Sequence, residues 1–139
     1  MIAPARDKWK LDHIGHAVQD LTAATAFYTE TLGFSVECRE TLEEQRIDIV
    51  FCRMNDTLVE LLAPLEGDKV LSSFLQKRGP GLHHICYRVA SVSSELRSLS
   101  AAGVKLIDQE PRLGSRNLQV AFLHPSSCAG VLIELCGES

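Results

Sequence analysis

The sequence predicts an α+β fold: two tandem β-α-β-β-β modules sharing one curved mixed sheet, with the helices outside. An internal repeat carries the prediction. Leu11-Asp12-His13-Ile14-Gly15-His16-Ala17-Val18 leads into a helical run ending at Leu32-Gly33-Phe34. About seventy residues later, Leu82-His83-His84-Ile85-Cys86-Tyr87-Arg88-Val89 leads into another, ending at Ala102-Gly103-Val104. Each copy then reaches an apolar segment holding one acid, Val59-Glu60-Leu61-Leu62 and Ile133-Glu134-Leu135. Neither module buries both faces of its sheet alone, so the two are expected to build a single domain over 1–139. Module one spans about 10–64, a linker helix about 65–80, and module two about 81–137.

Each element has a local reason. Asp12 to Val18 alternates, with Leu11, His13, Gly15 and Ala17 on one face and Ile14, His16 and Val18 on the other. Asp20 or Thr22 caps the next helix, whose Leu21, Ala24, Phe27, Tyr28 and Leu32 recur at three- and four-residue steps. Gly33 suits the C′ position, and Phe34-Ser35-Val36-Glu37 follows as a strand. Beyond a polar loop with Glu43, Glu44, Gln45 and Arg46, Ile47–Met54 is a strand that turns at Asn55-Asp56 and returns as Leu58–Leu62. A short helix over Val70–Lys77 is stopped by Arg78-Gly79-Pro80-Gly81. Module two repeats the order: a strand at 82–89, a helix near 92–102, and strands at 104–108, 118–123 and 130–136. The breakers Pro111, Gly114, Ser115 and Asn117 fill its long loop.

Composition narrows the function. A net charge of -4 gives no electrostatic motive for nucleic acid or an anionic membrane. No apolar run approaches membrane-spanning length. Met1 to Lys10 carries Arg6, Lys8 and Lys10 with no apolar stretch behind them, so it does not read as a signal peptide, and a cytoplasmic setting is expected. Five cysteines (Cys38, Cys52, Cys86, Cys128, Cys136) without a CxxC spacing read as small buried hydrophobes, not a disulfide framework or structural zinc site.

Repeat alignment separates His83 from His84. His84 precedes Ile85 as His13 precedes Ile14, so His13 and His84 occupy equivalent faces and His83 points the other way. Glu60 shares a face with Leu58 and Leu62, and Glu134 with Leu132 and Cys136. A lone acid in such a run is costly to bury unless paired or bound to metal. Any one of these four residues alone is ordinarily a satisfied core or rim residue. The repeated set instead points to a divalent metal held by His13, Glu60, His84 and Glu134 in a cleft of the sheet. Such a set leaves two octahedral positions for a substrate that chelates through two oxygens. Its nitrogen and oxygen donors suit Co2+, Ni2+, Mn2+, Fe2+ or Zn2+. His16 reads as packing under the first helix, and His124, before Pro125, as turn-forming or substrate-facing.

These residues resemble a family. The paired modules resemble the vicinal oxygen chelate superfamily, which includes glyoxalases, bleomycin resistance proteins and dioxygenases. Within it, the chain from Lys10 to Gly137 resembles the methylmalonyl-CoA epimerases. The resemblance rests on Leu11-Asp12-His13-Ile14-Gly15, Phe27-Tyr28 with Leu32-Gly33-Phe34, and Val59-Glu60-Leu61-Leu62-Ala63-Pro64. It extends to Phe74-Leu75 with Lys77-Arg78-Gly79, Gly81-Leu82-His83-His84-Ile85, Ala121-Phe122-Leu123-His124-Pro125 and Gly130-Val131-Leu132-Ile133-Glu134-Leu135.

The resemblance implies interconversion of (R)- and (S)-methylmalonyl-CoA by proton exchange through a metal-stabilised enolate. His13, His84 and Glu134 match the family's ligands, and Glu60 stands where it often has Gln. Glu44 matches one acid/base group and Glu134 the other; read from its polar loop alone, Glu44 is a solvated acid. Co2+, an acyl-CoA substrate and a homodimer are further implications. The family's glycine after Glu-Gln is Arg46 here, and the Gly114-Ser115-Arg116-Asn117 loop has fewer glycines than the family's. Three rivals share the fold. A glyoxalase I-like lyase acting on a glutathione hemithioacetal uses the same ligand order. A ring-cleaving dioxygenase needs only two His and one acid. A non-catalytic binder needs an aromatic-lined cleft and no ligands, whereas this chain has one tryptophan and all four ligands.

Overall fold

A computed structural model describes Arg6 and residues 8–138. Residues 1–5 and 7, part of the stretch read for a leader, lie outside the described residues. The elements run β1 (Lys10–Ala17), α1 (Leu21–Ala26), β2 (Ser35–Leu42), β3 (Ile47–Met54), β4 (Thr57–Pro64), α2 (Val70–Arg78), β5 (Gly81–Arg88), α3 (Val92–Ala101), β6 (Arg112–Leu113), β7 (Gln119–Leu123) and β8 (Ile133–Gly137). The β-α-β-β-β order therefore occurs twice. Among the described residues no helix is long and apolar enough to cross a membrane.

By contact the chain divides into two units, cut inside β1 and β5. One is His13–His84; the other joins the residues up to Asp12 to those from Ile85 onward. In the His13–His84 unit the strand order is β2-β3-β4-β1. β1 runs parallel to β4 with Gly15 beside Glu60, and β3 runs antiparallel to β4 with Phe51 on Glu60's other side. The other unit has the order β5-β8-β7-β6, with Glu134 flanked by Cys86 on β5 and Phe122 on β7. The wiring is the same, and Glu60 and Glu134 hold corresponding places in it.

Strand alternation sorts the first unit's core into two faces. Val50, Cys52, Val59 and Leu61 pack with Leu21, Ala24 and Tyr28 of the first helical segment. Ala17, Ile49, Phe51, Leu58 and Leu62 pack with Leu71 and Leu75 of α2. His13, Gly15 and Glu60 have the parity of this second face, so α2 covers the side of the sheet that carries them. In the other unit, Leu123, Ala121 and Leu135 pack against Val92 and Leu96 of α3. The opposite face holds Cys86, Leu118, Val120 and Cys136.

Two elements differ from expectation. The first helix is α-helical only to Ala26 and continues as a π-helical turn, Phe27–Thr31. Asp20 caps it, accepting from Ala23 N at 3.0 Å. Hydroxyls of Thr25 and Thr29 donate back to the carbonyls of Leu21 and Thr25 (2.7 and 2.9 Å), a competition that loosens the α-helical ladder. Gly33 takes the positive φ (+84°) expected after the last turn.

The second difference is a correction: residues 104–108 do not form a strand. Ile107 and Asp108 both donate to the single carbonyl of Phe122 (2.9 and 3.2 Å), and the Asp108 carboxylate accepts from Phe122 N at 2.8 Å. A side chain thus occupies the donor that a ladder would use. The second strand of module two is instead the two-residue β6, paired with β7 through Arg112 and Leu113.

Candidate metal centre

His13, Glu60 and His84 converge inside the His13–His84 unit, where their ligand atoms all lie within 4.8 Å of one another. His13 comes from β1, Glu60 from β4 and His84 from β5. All three are buried, at 2, 5 and 4 % exposure. The two imidazoles face each other through Nε2 atoms 3.1 Å apart. Glu60 Oε1 lies 3.2 Å from His84 Nε2 and 3.7 Å from His13 Nε2. Phe51 supports His13 edge-on, with ring centroids 5.3 Å apart. Burial alone would push the Glu60 carboxyl up. Hydrogen bonds from His13 and His84, with their charge, outweigh that and hold it at about 2. Glu60 is therefore an anion at neutral pH, closed in with two imidazoles.

Gly15 makes this arrangement sterically feasible. A β-carbon at Gly15 would stand only 2.2–2.7 Å from three atoms of the His84 imidazole, so the missing side chain beside Glu60 is the socket that admits His84. Its backbone is ordinary for a strand; the requirement is space, not conformation.

The donor set fits a divalent cation. Donors about 2.1 Å from a common centre sit about 3.0 Å apart at right angles and about 3.4 Å apart at tetrahedral angles. The observed 3.1 and 3.2 Å separations fall within that span, and the 3.7 Å between His13 and Glu60 lies just above it. Two imidazoles and a carboxylate, without thiolate, suit first-row divalent metals in general.

Glu134 belongs to the other unit. It is buried on β8, on the face that carries Cys86. That thiol is pushed far up by burial, with hydrogen bonding to Cys136 and the nearby Glu134 and Asp12 carboxylates adding to it.

Comparison with known proteins gives this geometry its context. The model of the glyoxalase/bleomycin resistance protein/dioxygenase superfamily matches residues 12–122. The chain is 38 % identical to human mitochondrial methylmalonyl-CoA epimerase over 127 residues, covering 91 % of this chain and 72 % of that protein. It is 36 % identical to the ethylmalonyl-CoA/methylmalonyl-CoA epimerase of Cereibacter sphaeroides, covering 91 % and 96 %. The chain belongs to the methylmalonyl-CoA epimerase family. Among solved structures, a Streptomyces coelicolor methylmalonyl-CoA epimerase in complex with 2-nitronate-propionyl-CoA superimposes with a TM-score of 0.89 at 36 % identity, covering 94 % of each chain.

Glu44 is exposed in the Glu43–Arg46 turn, apart from the buried triad. Arg46 takes a glycine-like conformation there, with φ of +58°. Its Nε donates to Glu66 O at 3.0 Å, and its Nη1 lies 3.5 Å from Glu43. In the other unit Arg116 repeats the device, with φ of +56° and a charge-assisted bond to the Asp12 carboxylate. A left-handed arginine costs about 1–2 kcal/mol, and hydrogen bonds to charged groups are worth about as much. So an anchored guanidinium stabilises a backbone that glycine adopts freely.

The histidines outside the triad also resolve. His16 packs as expected, its Nδ1 2.9 Å from the Tyr28 hydroxyl. His124 forms a turn, its Nδ1 accepting from Ser126 N at 3.1 Å. His83 does not simply point away: its Nδ1 lies 2.9 Å from Nδ1 of His84. Parity fixes where Cβ atoms point, not where two ring nitrogens end, so sequence reasoning missed this pair. It missed Gly15 as well, although Gly15 shares the parity of His13 and aligns with Cys86 in the repeat.

Proposed function

We propose that this chain interconverts (R)- and (S)-methylmalonyl-CoA by exchanging the proton at C2, the carbon between the thioester and the carboxylate. The observation that carries the reading is the buried His13-Glu60-His84 donor set in a chain of the methylmalonyl-CoA epimerase family. Glu134, the repeat counterpart of Glu60, is the fourth proposed ligand, and Co2+ the favoured metal. A divalent cation held there supplies Lewis-acid stabilisation of the negative charge that develops when C2 loses its proton.

The chain's own residues then divide the work. His13, His84 and Glu60 are buried and packed against one another, so they hold their donors in place with little reorganisation. Inversion at a planar carbon needs an acid/base group on each face. Glu134 serves one face. Glu44, on an exposed turn, serves the other and exchanges protons with solvent. The acting form is proposed to be a homodimer, for which the eight-residue edge strand β2 offers a physical motive. A cytoplasmic setting suits five free thiols.

The test is solvent deuterium entry at C2 followed by NMR. The Co2+-loaded protein is expected to exchange both epimers. Glu44→Gln should slow exchange of one epimer by about 100-fold or more while retaining its metal. Failure to exchange either epimer, with turnover of a glutathione hemithioacetal instead, would overturn the reading in favour of a glyoxalase-type lyase.

A further inference from the structure

The pairing of His83 with His84 has a chemical consequence. A neutral imidazole has one lone pair and one N–H. If His84 Nε2 presents its lone pair to the centre it shares with His13 and Glu60, its proton sits on Nδ1. That N–H then needs an acceptor, and His83 Nδ1 stands 2.9 Å away. Accepting at Nδ1 puts the proton of His83 on its own Nε2. The reverse assignment, with His83 Nδ1 donating, would place the His84 proton on Nε2, aimed at His13 and Glu60, and would block the ligand position.

The surroundings hold His83 in this pose. Its ring meets Phe74 of α2 nearly edge-to-face, with centroids 4.8 Å apart and planes at 73°. The Arg78 guanidinium lies 5.5 Å from the Phe74 centroid. The His83 and His84 rings cross at 85°. The linker helix thus braces the group that faces the back of a proposed ligand.

We propose that His83 is a positioning residue: it accepts the Nδ1–H of His84, selects the tautomer whose Nε2 binds metal, and fixes that ring's rotation from the α2 side. The inference rests on the metal-site reading above. Groups behind a ligating histidine typically change metal affinity by about 10–100-fold.

The test uses the wild type and three variants, the third of them His13→Ala. His83→Phe keeps a ring against Phe74 but removes the acceptor; His83→Asn places an amide oxygen near the original Nδ1. Co2+ affinity by chelator competition is expected to fall about 10–100-fold in His83→Phe, with an altered visible Co2+ absorption band. His83→Asn should stay within a few-fold of wild type. In the Zn2+-loaded wild type, two-bond 15N–1H spectra should show His84 protonated on Nδ1 and His83 on Nε2. Wild-type affinity in His83→Phe, equal losses in both variants, or a proton on His83 Nδ1 would each overturn the proposal. Wild-type protein that binds no Co2+, or a His13→Ala variant that binds as tightly as wild type, would overturn the metal-site reading itself.

Discussion

At the scale of single residues, the site depends as much on an absent side chain as on the ligands. Gly15 lies beside Glu60 in the β1–β4 register, and the His84 ring occupies the volume its β-carbon would take. Gly15→Ala leaves the backbone conformation accessible and asks the chain only to find room, which overpacked cores do at about 1–3 kcal/mol. The ring that must give way is a proposed ligand. We therefore expect a modest loss of stability in urea but a disproportionate loss of Co2+ affinity, of about tenfold or more. A variant that loses stability without losing affinity would show that His84 does not need the socket. His13, Glu60 and His84 were legible in the sequence because repetition singled them out. The socket was not, since a glycine in a strand reads as a weak point until its neighbour is seen.

At the scale of elements, β1 and the first helical segment are joined through His16 and Tyr28, and this joint has a pH signature. Burial pushes His16 below its usual 6.5. The folded protein therefore keeps His16 neutral at a pH where the unfolded chain has begun to bind a proton. Its contribution is fully present above 6.5 and is lost as pH falls through the lowered folded value. In metal-free protein, the stability of wild type relative to His16→Gln should shrink between pH 7.5 and pH 5.5 by urea denaturation. A gap that widens on acidification would mean that His16 gains a proton on folding. The strands were readable where alternation and turn chemistry agreed, as in Ile47–Met54 with its Asn55-Asp56 turn. They were not readable at 104–108, where Asp108 takes over the donor of Phe122. The π turn was hidden too, because Thr25 and Thr29 fit the helical period while their hydroxyls compete for its carbonyls.

At the scale of the whole molecule, the repeat places a buried glutamate between a phenylalanine and a small residue in each unit: Phe51, Glu60 and Gly15 in one, Phe122, Glu134 and Cys86 in the other. The small residue differs in consequence, since Gly15 admits His84 whereas Cys86 fills its own space. Metal binding as proposed would be felt by the stability of the fold as a whole. A cation that binds only the folded chain at 100 times its dissociation constant stabilises it by about 2.7 kcal/mol, which for a domain of this size raises Tm on the order of 10 °C. Chelation should reverse the rise, and His84→Ala should abolish it. Hydrogen exchange then separates two ways of holding the ion. A cation held by His13, Glu60 and His84 alone protects amides of β1, β4 and β5. A cation held also by Glu134 extends protection to β8, and Glu134→Gln removes that extension while leaving part of the protection at β4. We expect the second pattern, because Glu134 holds between Cys86 and Phe122 the place that Glu60 holds between Gly15 and Phe51. Protection confined to His13–His84 would reduce the ligand set to the triad and leave Glu134 only its acid/base role.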